Sequence, residues 1–129
     1  MVIKRVLRPE RLRRVPAQFS WVDQRLVRDG HLERCDAPAL ALYLLLVTVA
    51  DAQGLSYYGE ATICRLLSLD SEPLQRARRD LMAAGLIAYQ RPLYQVLALD
   101  PPPPPRIPGV EPLQAALARL PALATRRSA

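Results

Sequence analysis

One histidine, two cysteines and five glycines among 129 residues leave this chain poorly equipped for chemistry. With so few glycines there is no glycine-rich loop to cradle a phosphate, and no candidate nucleophile has an evident base partner. The reading is therefore non-enzymatic, with no cofactor and no metal. Cys35 and Cys64 lie far apart without metal-ligand spacing, which fits a reduced, cytoplasmic setting and two core fillers. Long hydrophobic runs are missing too. The longest uncharged stretch, 37 to 50, is about 14 residues, short of the roughly 20 that cross a bilayer. It reads as a buried helix, so no membrane partner is expected. The first fifteen residues are basic but lack the hydrophobic centre and small-residue cleavage site of a secretory signal.

Half of the residues are apolar, enough for one small core with appendages. His31-Leu32-Glu33 superficially matches a zinc deaminase signature, and His31 and Cys35 have helical i, i+4 spacing. No later pair of cysteines completes such a site.

The net charge of +6 is unevenly spread. Residues 1 to 34 carry nine basic and four acidic groups, 35 to 100 five and seven, and 101 to 129 four and one. Six of the seven charged residues between Lys4 and Arg14 are positive. A basic arm of this kind, with Arg11, Arg13 and Arg14 at its centre, suits phosphate.

Along the chain, Ser20 with Asp23 three residues later and Gly30 beyond predict a short helix over 20–29 with Val22 and Leu26 inward. Phe19 and Trp21 are expected to anchor onto the core. Asp36 is a good N-cap for the leucine-rich helix that follows, which should be surrounded by others and end at Gly54. Leu55 to Tyr58 has strand composition. Gly59 to Leu67 reads as a helix with Ile63, Leu66 and Leu67 inward, and Ser68 to Asp70 as a turn. Ser71 is the expected N-cap of a second helix that Gly85 stops, with Leu74, Ala77 and Leu81 as its buried stripe. Gln75, Arg76 and Arg79 then face outward, and Arg and Gln are the side chains that pair bidentately with guanine and adenine. Leu86 to Leu99 alternates around Arg91-Pro92 as a hairpin with Arg91 at its tip. Its second strand is apolar on both faces, so the face with Leu93, Leu97 and Leu99 needs a cover. The apolar residues 2 to 7, the C-terminal helix or a second subunit could supply it. Pro101 to Pro105 reads as a polyproline spacer, and Leu113, Leu117 and Leu120 share one face of a short helix after it.

The division is a basic arm over 1–18, a domain over 19–100, a proline-rich linker over 101–109 and a C-terminal helix or tail over 110–129. The expected fold class is mainly α with a small β-hairpin (α+β). Phe19-Ser20-Trp21, Ala39 to Leu44, Gly54 to Tyr58, Leu81 to Ile87 and Tyr94-Gln95-Val96 carry a resemblance to the N-terminal winged helix-turn-helix module of plasmid replication initiators and primosomal replication proteins, covering roughly residues 19 to 99. The resemblance implies that the second helix of the helix-turn-helix and the wing approach DNA, which implicates Gln75, Arg76, Arg79 and Arg91. The expected function is duplex-DNA binding in transcriptional control, replication or mobile-element maintenance. The alternative is an adaptor subunit, or a homodimer, using Leu93, Leu97, Leu99 and Leu113, Leu117, Leu120 for protein contacts.

Overall fold

In the computed structural model, residues 3–99 are described, and the spacer expected at Pro101 to Pro105 and the short helix expected around Leu113, Leu117 and Leu120 lie outside them. The described part is α+β: α1 (Arg25–Arg28), α2 (Ala37–Val49), β1 (Leu55–Tyr57), α3 (Glu60–Leu67), α4 (Ser71–Ala83), β2 (Ile87–Gln90) and β3 (Leu93–Val96). None of these helices is long and apolar enough to cross a membrane.

Asp36 caps α2 as expected, its carboxylate accepting the Ala39 N–H at 3.1 Å. Leu42 and Leu46 are fully buried, and α2 packs chiefly on α4. It is not surrounded, however, because Leu44 is 61% exposed. The helix also ends earlier than expected. Ala50 is already extended, and Asp51 builds a separate turn by accepting the N–H groups of Gln53 and Leu55. A short side-chain acceptor offers the backbone an alternative to helix, which is why Asp favours turns. Gly54, at φ +85, is the left-handed residue of that turn and not a helix cap.

The three strands form one antiparallel sheet in the order β1-β3-β2. Leu55 pairs with Gln95 and Tyr57 with Leu93, while Tyr89 pairs with Tyr94. The central strand therefore sends Tyr94 inward, where it is 1% exposed. Leu93, Leu97 and Leu99 are all half-buried, and Leu99 packs against the core beyond the end of β3. In the arm, Ile3, Val6 and Leu7 are all more than half exposed.

Leu74, Ala77 and Leu81 form the buried stripe of α4, as their spacing predicts. The helix stops in a Schellman turn. Leu86 N–H reaches Leu81 C=O at 3.0 Å, Gly85 N–H reaches Met82 C=O at 3.1 Å, and Gly85 sits at φ +75.

Two local expectations fail in the N-terminal part. Helix α1 starts only at Arg25, because the Ser20 hydroxyl donates instead to the Thr48 carbonyl at the end of α2 and Asp23 accepts the Arg25 N–H. Val22 is left 54% exposed, while Leu26 is buried. Phe19 and Trp21 are not core anchors but stand 65% and 74% exposed.

Candidate nucleic-acid interface

Helix α4 sorts its side chains by angle. At about 100° per residue, the stripe of Leu74, Ala77 and Leu81 turns Glu72, Gln75, Arg76 and Arg79 to the opposite side, and all four are exposed. The side chains of Arg76, Arg79 and Arg91 take part in none of the hydrogen bonds or ion pairs among the described residues. Arg91 lies at the turn between β2 and β3, also exposed. Arg11, Arg13 and Arg14 are exposed in the arm.

Between α4 and the hairpin lies an open groove of about 570 Å³, lined by Tyr58, Gly59, Glu60, Gln75, Arg78, Tyr89, Arg91 and Pro92. The structure thus brings Gln75 and Arg91 to the two sides of one groove, with Arg76 and Arg79 on the outer surface of α4.

The floor of this groove is a polar network that spacing alone does not reveal. Ser71 is not the N-cap: Asp70 holds that position, without a side-chain capping bond, and the Ser71 hydroxyl donates to Glu60 Oε2 at 2.7 Å. Gln75 Nε2 donates to Ser71 Oγ at 3.1 Å. Arg78 donates from Nη2 to Glu60 Oε1 at 3.2 Å and from Nη1 to the Tyr94 hydroxyl at 2.9 Å. Its guanidinium lies 4.4 Å from the Tyr89 ring centroid, and the Tyr89 and Tyr94 rings are 4.5 Å apart. Burial pushes the Tyr94 phenol up, so it remains a neutral acceptor for Arg78. One arginine thereby ties the start of α3, the middle of α4 and both hairpin strands together.

Arg78 is 12% exposed in its side chain. Replacing it with Met is expected to cost about 1–3 kcal/mol, largely from the buried Tyr94 hydroxyl left without its donor. Lys, with no planar fork, should recover only part of this. Urea denaturation of the two variants checks the ranking, and full recovery by Lys would contradict the three-way tie.

The hydrogen bonds from Ser71 first, then Arg78, hold the Glu60 carboxyl below its ordinary value of 4.5. A depressed carboxylate contributes stability above its unfolded pKa and loses it as pH falls through the folded one. Stability should therefore decline below about pH 4.5, and Glu60→Gln should flatten that part of the curve in acid titrations followed by circular dichroism.

The acidic balance of the domain also acquires an explanation. Asp36 caps α2, Asp51 builds its turn and Glu60 is tied to Arg78, so three carboxylates are committed to structure. The outward arginines Arg76, Arg79 and Arg91 carry no such commitment.

His31 is half-buried, with Nδ1 accepting from Arg34, and among the described residues no group of three His, Cys, Asp or Glu side chains could hold a metal ion. No protein-family model, curated protein or solved structure matches this chain.

Proposed function

We propose that the chain is a non-enzymatic duplex-DNA-binding protein built as a winged helix-turn-helix. Helices α3 and α4 form the helix-turn-helix and the β2–β3 hairpin is a short wing. Helix α4 enters the major groove with Gln75, Arg76 and Arg79 toward base edges. Arg91 at the wing tip and Arg11, Arg13 and Arg14 in the arm bind phosphate.

The observation that carries this reading is the outward face of α4: two exposed arginines without protein partners beside a glutamine whose amide is oriented by Ser71. The major groove is about 12 Å wide and admits one helix with its side chains. Arg91 across the groove then contacts the flanking backbone, where positive charge positions a protein without reading sequence. The biological setting that fits is transcriptional control, replication or mobile-element maintenance.

The test is selection from a pool of random duplexes across a salt series, with sequencing of what stays bound. An enriched motif that survives about 150 mM salt, where nonspecific phosphate attraction is weakened, supports a sequence reader. Binding that disappears without enrichment rejects it. A second outcome separates arm from helix. Neutralising Arg11, Arg13 and Arg14 should weaken all sequences alike and reduce the slope of log K against log salt by about 2–3, close to 0.9 for each lost phosphate contact.

A further inference from the structure

A second surface shares no residue with the groove beside α4. Helices α1 and α2 enclose an apolar groove of about 380 Å³, with Leu26, Val27, Leu40, Tyr43, Leu44 and Val47 among its lining side chains. Val22 lines it too, and the chain runs back from Val22 through Trp21 to Phe19, both well exposed. A large aromatic knob and an apolar groove are thus neighbours in the chain.

We propose that this surface joins two copies of the chain, with Trp21 of each copy seated in the α1–α2 groove of the other. Three observations select a second copy as the occupant. The first is area. Phe and Trp each carry roughly 150–250 Å², so Phe19, Trp21, Val22, Val27 and Leu44, each more than half exposed, present on the order of 600 Å². That approaches the ~800 Å² per partner of a standard interface, and the half-buried groove walls add to it.

The second is charge. The segment 23 to 34, which supplies Asp23, Leu26, Val27 and Leu32 to the groove wall, carries three acidic and three basic residues, a net charge of zero. Two identical chains with a net charge of +6 can meet on such a neutral rim without the repulsion their basic arms would cause, whereas a nucleic acid or an acidic partner finds no field there. The third is self-complementarity. A two-fold interface requires knob and receptor on one patch of the same chain, and Trp21 and the groove satisfy this. An aromatic anchor in an apolar pocket also concentrates binding energy at such contacts.

Trp21 is the protein's one tryptophan, so the unmodified chain reports on the contact. Nucleic-acid-free protein is diluted through the micromolar range while its mass is followed by sedimentation and its indole emission by fluorescence. The expected result is a particle of twice 14.4 kDa whose emission lies at shorter wavelength than that of the dissociated chain, the two transitions coinciding. Leu44→Glu, at an already exposed position, should raise the dissociation constant at least about 100-fold by burying an unpaired charge, with the fold intact by circular dichroism. Trp21→Ala should weaken the dimer in the same direction. A monomer at all concentrations overturns the proposal, whether its indole is solvent-exposed or covered by its own chain. A dimer that persists in Leu44→Glu with Trp21 still exposed also overturns it, by placing the interface elsewhere.

Discussion

Replacing Arg76 and Arg79 together with Ala is expected to lower affinity for the preferred duplex by at least about 30-fold, while affinity for unrelated duplexes falls much less. Each good bidentate contact between an arginine and a guanine contributes about 1–3 kcal/mol of discrimination, so two of them on one helix face contribute at least about 2 kcal/mol together. Both arginines are exposed, and their side chains make no hydrogen bond or ion pair among the described residues. Their removal therefore leaves the folded state nearly unchanged, and the loss is one of recognition. Stability should stay within about 0.5 kcal/mol of the parent. The measurement is a pair of titrations, selected duplex against scrambled duplex at one salt concentration. An equal loss on both duplexes would mean that these arginines touch only phosphate; no loss on either would remove α4 from the interface.

Arg78 between them makes the opposite case. It is one position from Arg79 and two from Arg76 in sequence, yet its angle on the helix carries it to the hairpin side, where Glu60, Tyr89 and Tyr94 engage it. A variant at Arg78 should lower both stability and binding, since the wing loses its brace on α4. Comparing it with the Arg76 and Arg79 pair separates a side chain that meets DNA from one that positions those that do.

The parts legible in the sequence are those fixed by short-range spacing. The stripe of Leu74, Ala77 and Leu81, the Asp36 cap, the strand at Leu55 to Tyr57, the Gly85 stop and the hairpin around Arg91-Pro92 follow from helical period, strand alternation and turn chemistry. The outward placement of Gln75, Arg76 and Arg79 follows from the same period. What escaped depends on partners distant in sequence. Ser20 forgoes a local cap for a carbonyl 28 residues away, and Ser71 forgoes one for a glutamate 11 residues away. Polar side chains of this type bond wherever an acceptor is brought to them, so their choice is decided by tertiary packing. Trp21 misleads for a related reason. Hydrophobicity says that an indole should be covered, but not by what. The groove beside α4 was hidden because its walls come from the start of α3, from α4, and from β2 with the hairpin turn.

Gly54→Ala is the stability change expected to be largest for the smallest addition of atoms. Gly54 has φ +85, and a Cβ there would lie 2.7 Å from the Val96 carbonyl oxygen and 3.4 Å from the Val96 nitrogen. The same two residues are joined by the Val96 N–H donating to the Gly54 carbonyl at 2.8 Å. The crowded atoms are therefore backbone of β3, the central strand, and no rotamer change relieves the contact. Relief requires moving β3, which carries buried Tyr94 and pairs with both neighbours. The left-handed conformation alone costs an L-residue about 1–2 kcal/mol, and strand displacement should bring the total to about 2–4 kcal/mol, a large share of the 5–15 kcal/mol of a small domain. Gly85→Ala supplies the control. Gly85 is also left-handed, at φ +75, but a Cβ there meets nothing within 4 Å, so that variant should lose only the conformational part. Urea denaturation of both distinguishes the two costs, and equal losses would show that Val96 yields without penalty. If Gly54→Ala loses more, the excess measures how firmly the sheet holds β3, and with it the hairpin tip, in place beside α4.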